Sequence, residues 1–511
     1  MKSNFGAKNY KDYIPHPVDD AHPEYLALYE KAWALAYAHI KDIPGMPQTP
    51  YMDEAFCDTQ IWIWDSCFMS LFCKYGREVF PGVETLHNFY DVLYANKELP
   101  FVIPTAREPE FTGAVAGAPY RIVIHIADNP PLFALAEHEN AKFSGDMARI
   151  RDLLYNTKYL EKHYEWIEGL RAPEIPHGAF HETCLIAERD GYLWEGGRSG
   201  MDNTPRGRTG AHAVGQRPNN PDMLWLDAIC QQALSAERIA ALYRTVGDEE
   251  GAALWQARYE EKKRTVNALY YDAEDGFYYD IDRRDRRFYK IKTMATYWTM
   301  TAGIASQEQA ESLVSYLRDG AHFGGSVPFA ALSRSDADFH TDGQYWRGGI
   351  WLPTAYAALL GLRRYGYLAD AKDLTDRLLS HMYETLVRYE PHTVWECYSP
   401  TEYAPALIET GEKKTARPDF CGWSALGPIA AYIEFSLGFH TVDAFEGRVV
   451  WEKPETEARI GIENLRFGDI VTDIVAEGGS VRVKASAPYT LVIAGKEYAI
   501  EKGETHLGGI R

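Results

Sequence analysis

The run Trp346-Arg-Gly-Gly-Ile-Trp-Leu-Pro-Thr-Ala-Tyr-Ala-Ala-Leu-Leu-Gly-Leu-Arg-Arg-Tyr-Gly366 decides the fold of this chain. An aromatic and polar head, Trp346 to Gly349, opens into a segment that is apolar nearly all round and stops at a glycine. Trp64-Asp65 to Gly76 and Gly422-Trp423 to Gly438 repeat the layout. A helix that is apolar on every face must be buried. A ring of such helices, enclosed by partner helices, would gather the heads at one end and make a pocket there, as in an (α/α) toroid. An ordinary bundle whose tryptophans fill gaps satisfies the same periodicity.

Around these runs, apolar residues at three- and four-residue spacing predict helices over 24–40, 132–143, 147–170, 221–246, 249–270, 307–317, 351–365 and 369–389. The short links inside 221–270 and 351–389 favour antiparallel hairpins. Strand-like alternation is scarce before residue 440. After it, 458–465, 469–476, 480–485, 489–494 and 497–500 alternate in strand fashion, with turns at Gly478-Gly479 and Gly495-Lys496. The reading is an all-α barrel over 1–440 and a small β-sheet accessory domain over 441–511, with 452–457, around Pro454, as the linker.

The 511 residues can bury a large core without staples. A formal charge of -20 opposes binding to nucleic acid or anionic membranes, and no apolar run is long enough to span a bilayer. The first ten residues lack the apolar stretch of a secretory signal, so the chain as given reads as cytoplasmic unless a leader has been removed. The seven cysteines form no C-x-x-C pair and read as reduced core thiols. Thirty-four tyrosines and 13 tryptophans offer flat faces with polar edges, which suit the C–H faces and hydroxyls of a sugar. The expected partner is a small carbohydrate.

Two loops carry the candidate chemistry. In Ser199-Gly-Met-Asp202-Asn-Thr-Pro-Arg206 the residue before proline is pushed out of the α region and short polar side chains bond backbone, so Asp202 is presented on a loop. A solvated turn is the competing reading. In Val394-Trp-Glu396-Cys-Tyr-Ser-Pro400 a carboxylate lies between tryptophan and tyrosine, a setting that desolvates it more than the open Thr-Glu402-Tyr context nearby. Inverting glycoside cleavage needs such a pair: one acid to protonate the leaving oxygen and one carboxylate to activate water. Asp65 begins a helix beside Trp62 and Trp64, as a ligand or as a helix cap. Arg347 could fork onto a hydroxyl pair or a carboxylate, or form a buried ion pair. Trp346, Trp351, Trp395 and Trp423 are candidates for stacking or for core packing. Trp64, Asn203, Arg206 and Tyr398 complete the expected substrate contacts. His177 and His181 with Glu182 have a spacing found in zinc sites but no third ligand, so neither metal nor cofactor is expected. Phosphate cradles and serine or cysteine nucleophile motifs are absent.

Trp64-Asp65-Ser66, Ser199 to Arg206, Tyr345-Trp-Arg-Gly-Gly-Ile-Trp351, Glu396-Cys-Tyr-Ser-Pro400 and Gly422-Trp-Ser-Ala-Leu-Gly427 together resemble glycoside hydrolase family 63 and its trehalase-like relatives, in the same order along most of the helical region. Asn129-Pro-Pro131 and Gly325-Ser-Val-Pro328 fit the same pattern. The resemblance implies an (α/α)6 barrel, an inverting mechanism, Asp202 as general acid, Glu396 as general base and Asp65 on sugar hydroxyls. The family places Trp-Glu directly before Ser-Gly, whereas here Gly196-Gly-Arg198 separates Trp194-Glu195 from Ser199-Gly200, and Cys397 and Ser399 stand where the family carries amides. Helix begins almost at once, so the closer likeness is to compact bacterial members, including those acting on mannosylglycerate or glucosylglycerate. The expected activity is exo-acting inverting hydrolysis of a small α-glucoside or α-mannoside. A sugar epimerase or isomerase on the same toroid, and a carbohydrate-binding protein without turnover, are the alternatives.

Overall fold

The computed structural model describes residues 5, 9–43, 46–55, 60–90, 102–104, 130–169, 185–194, 196, 199–208, 220–408 and 414–510. Asn129, His177, His181, Glu182, Glu195 and Arg198 lie outside the described residues.

Pro353 stands in the first turn of the helix Leu352–Arg364, where its missing N–H costs nothing. Every residue from Leu352 to Leu362 is buried. The chain then reverses through Gly366, at φ +82°, into Leu368–Arg388. That helix buries only one stripe: Ala371, Leu374, Thr375, Leu378, Leu379, His381, Met382 and Thr385. Leu226–Thr245 and Glu249–Leu269 repeat the arrangement, the first buried along most of its length and the second only at Ala252, Trp255, Tyr259 and Val266. Gly247, at φ +80°, makes the reversal, and the Asp248 carboxylate caps the second helix by accepting from Gly251 N–H. Each pair therefore has an inner helix and an amphipathic outer one.

The inner helices run side by side in one direction. At their starts, Trp64 of Ile63–Cys73 meets Trp346 and Trp423, with ring centroids 6.3 and 6.0 Å apart, and Trp351 meets Trp423 at 5.7 Å. Away from these starts Lys74, Tyr75, Tyr356 and Arg363 converge on the buried Glu434 carboxylate of the π-helix Gly427–Ser436, at 2.9–3.3 Å. Such a carboxylate is tolerated because all its partners are present. The chemistry-bearing heads share the opposite end.

Three expectations change. The helix expected over 147–170 is broken: Met147–Arg151 passes into a π-turn, Asp152–Asn156, and Lys158, at φ +55°, separates this from Tyr159–Gly169. The helical region is not all-α. An antiparallel sheet inside it orders Phe288–Tyr289, Asp280–Asp282, Met223–Leu224, Gly191–Leu193 and Ile186–Glu188, and its strands flank the Asp202 loop. The C-terminal β region is larger than the five expected strands. One sheet orders His16–Asp19, Ile460–Phe467, Ile470–Glu477, Ser480–Ala485 and Gly503–Gly508; the other orders Thr441–Asp443, Arg448–Trp451, Tyr489–Ile493 and Lys496–Ile500. The first of these strands comes from the N-terminal end of the chain, pairing His16–Asp19 with Ile460–Glu463. The coil around Pro454 links the two sheets. No described helix is long and apolar enough to cross a membrane.

Candidate active site

The loop after Ser199 is wound by its own short side chains, as its composition requires. Ser199 Oγ donates to Gly196 O at 2.7 Å and accepts from Met201 N–H, while Thr204 Oγ donates to Met201 O at 2.5 Å. Gly200 sits at φ +82° against the face of Trp64, and a Cβ there would lie 2.6 Å from that ring. The aromatic head of one inner helix thus fixes the height of the loop bearing Asp202. Gly200→Ala combines a left-handed backbone with a clash against a buried indole, so a loss of about 1–3 kcal/mol in stability is expected. Turnover should fall with it. Urea midpoints and kcat for the variant check this; unchanged values for both would dissociate the loop from Trp64.

Asn203 clamps the loop to the next block. Its Oδ1 accepts from Trp346 N–H at 2.8 Å, its Nδ2 donates to Gln344 O at 3.1 Å, and its carbonyl oxygen accepts from Arg347 Nε at 3.4 Å. Asp202, beside it, is half-buried. Arg206 is turned away from the position expected of a substrate contact. Its guanidinium, 1% exposed, donates to both oxygens of Asp280 and both of Asp227 at 2.6–2.9 Å, lies over Trp225 and touches Met201 Sδ. No N–H direction is left for a sugar, so the residue anchors the loop instead. Arg347, 1% exposed, has Asp338 Oδ1 3.6 Å from its Nη1. Burial and the neighbouring Arg208 charge push its pKa down.

Glu396 faces this loop from the other side. It is 1% exposed; Oε1 accepts from the Tyr345 hydroxyl and Oε2 from Arg417 N–H, both at 3.2 Å. Its backbone is held as firmly, with N–H to Arg417 O at 2.9 Å and its carbonyl oxygen accepting from Trp423 Nε1 at 2.8 Å and from Ser424 Oγ. Burial raises its pKa, against the opposing pull of the Arg417 charge and N–H. Asp65 completes the group from the first turn of Ile63–Cys73. Burial pushes its pKa well up, opposed by a backbone hydrogen bond, and the charges of Glu396 and Asp202 push it further. The Tyr345 phenol is raised by burial and then by the same two carboxylates. Asp65 and Tyr345 therefore each lie within the field of both Asp202 and Glu396.

Beneath the carboxylates lies an aromatic floor. Trp346 stacks on Trp351 with centroids 4.0 Å apart and planes 7° from parallel, and Trp64 and Trp423 pack around them. Trp351 Nε1 donates to Tyr345 O, and the Tyr398 hydroxyl accepts from Trp395 N–H. Trp64, Trp346, Trp351, Trp395, Tyr398 and Trp423 are all buried. Sequence reasoning missed Tyr345 and Arg417 as partners of Glu396. A tyrosine flanked by Gly343 and by Gly348-Gly349 was the available signal for the first; a backbone N–H gives none for the second. Among the described residues no three histidine, cysteine or acidic side chains are grouped to hold a metal.

Comparison with known proteins gives the class of this chain, a glycoside hydrolase. The chain belongs to the family described as the mannosylglycerate hydrolase MGH1-like glycoside hydrolase domain, which matches residues 59–412. It is 25% identical over 425 residues to an uncharacterised protein of Borreliella burgdorferi, covering 81% of this chain and 79% of that one. A cytosolic neutral trehalase of Kluyveromyces lactis is 31% identical over 198 residues, which are 38% of this chain and 26% of the trehalase. In structure the chain resembles the family 63 mannosylglycerate hydrolase of Thermus thermophilus in complex with glucose, with a TM-score of 0.56 at 18% identity, over 79% of this chain and 99% of that one.

Proposed function

We propose that the chain is an inverting, exo-acting glycosidase that cleaves an α-glucosidic or α-mannosidic bond in a small glycoside. The catalytic body is an (α/α)6 toroid within residues 1–440, and residues 441–511 form the accessory domain. The carrying observation is that Asn203, next to Asp202, bonds the backbone of Gln344 and Trp346 while Tyr345 between them donates to Glu396, so one turn joins the two loops. Asp202 acts as the general acid. It stands half-buried on its loop and gives its proton to the glycosidic oxygen. Glu396 acts as the general base. Its two oxygens each accept one hydrogen bond, and the acceptor positions that remain can orient a water for attack on the opposite face of the sugar. In this reading Asp65 and Arg347 bind sugar hydroxyls, and the buried tryptophans back the pocket. The mannosylglycerate hydrolase and trehalase relatives place α-mannosyl and α-glucosyl compounds first among substrates to try.

Incubation with α-linked disaccharides and glycosylglycerates, followed by proton NMR before mutarotation, tests the reading. The first free sugar should be the β-anomer. An α-anomer as first product would exclude inversion, and calorimetric binding without cleavage across the panel would favour a binding protein.

A further inference from the structure

Tyr345 occupies a backbone conformation that side chains avoid. Gln344 has φ +35° and Tyr345 φ +64°, two successive left-handed residues, neither of them glycine. Such strain persists only where the surroundings over-determine it, and here they do. Tyr345 N–H donates to Leu407 O at 2.8 Å, its carbonyl oxygen accepts from Trp351 Nε1 and Gly349 N–H, and Gln344 O accepts from Asn203 Nδ2. The Asn203 contact belongs to the loop that carries Asp202, and the outcome is a phenol delivered to Glu396 Oε1. One strained turn therefore ties both candidate carboxylate loops together.

We propose that Tyr345 is a positioning residue for the base, locking the Glu396 carboxylate in register with the Asp202 loop by donating to Oε1. This rests on the reading of Glu396 as the base. The groups facing Glu396 divide by sign. The buried Asp65 and Cys397 are each raised in part by its charge; Arg417 and Lys414 support its ionisation by charge, and Tyr345 and Arg417 N–H by hydrogen bonds. Removing the hydroxyl leaves one donor to a buried carboxylate, so Glu396 should take up its proton at higher pH.

In Tyr345→Phe the acid limb of the kcat/KM profile is expected to move up by about one unit, the size of one hydrogen bond to a charged group, with KM little changed. The infrared band of the ionised carboxylate, taken as wild type minus E396Q, should titrate with the same displacement. Replacing Tyr345 with 3-fluorotyrosine, a stronger donor of the same shape, should move both downward. If Tyr345→Phe lowers kcat equally at every pH while the limb and the infrared titration stay in place, the residue is only structural and the proposal falls. If E396Q hydrolyses at the wild-type rate, the assignment of the base falls instead, and the infrared titration still reports whether Tyr345 governs the carboxylate.

Discussion

Asp202→Asn and Glu396→Gln are each expected to lower kcat by about 10²–10⁴-fold, the range that one positioned acid or base contributes, while the fold survives. The two variants should differ on an activated substrate. An α-glycosyl fluoride leaves as fluoride without needing a proton, so Asp202→Asn should recover much of its rate there. Glu396→Gln should not, because water still needs a base. Equal recovery by both, or by Glu396→Gln alone, would exchange or abolish the roles. The second variant has a further signature. Burial raises the Glu396 pKa above its unfolded value, so the folded chain holds that proton more tightly than the unfolded one. This group therefore favours folding below the ordinary glutamate range, and the advantage disappears as pH rises through the folded-state pKa. At pH 8 wild type carries a buried carboxylate that the glutamine variant lacks. Glu396→Gln should unfold at higher urea than wild type at pH 8, with the gap closing toward pH 5.

The parts legible in the sequence are those whose signal lies within one segment. The run 346–366 announces a buried helix with a polar head because burial on all faces leaves no polar stripe, and Leu352–Leu362 is buried throughout. Asp202 announces a loop because Asn203-Thr204-Pro205 cannot continue a helix. The inserted sheet was not legible, since strands such as Met223–Leu224 and Phe288–Tyr289 are two residues long and too short to alternate. The break at Lys158 was hidden as well: lysine fits a helical face, and nothing local marks a left-handed residue. The same limit governs the site. An arginine reads alike whether it forks onto a sugar or onto buried carboxylates, and the partners that decide this for Arg206 lie 21 and 74 residues along the chain. The Tyr345 hydroxyl meets its acceptor 51 residues on. Helix identity is a short-range property here; the assembly of the acid and base loops is a long-range one.

Arg206 is where the largest loss of stability is expected. Burial pushes its pKa down, but Asp227 and Asp280 outweigh this and hold it charged. Asp227 itself stays raised by burial despite the guanidinium. The triad carries one positive and two negative charges in a nearly dry place. Arg206→Met removes the cation and leaves two carboxylates facing each other, at an expected cost of about 3–5 kcal/mol. Arg206→Lys should fall between, because an ammonium cannot fork onto both aspartates at once. Asp227 and Asp280 also accept from Ala228 and Leu226 N–H at the start of Leu226–Thr245, so their repulsion would loosen an inner helix as well as the Asp202 loop. Adding Asp227→Asn and Asp280→Asn to Arg206→Met should restore most of the lost stability, since the residual cost is that of unpaired charge. Urea midpoints of the single, Lys and triple variants read this directly. A single variant within 1 kcal/mol of wild type, or a triple variant worse than the single one, would show that the guanidinium holds the loop by packing on Trp225 and Met201 and not by charge.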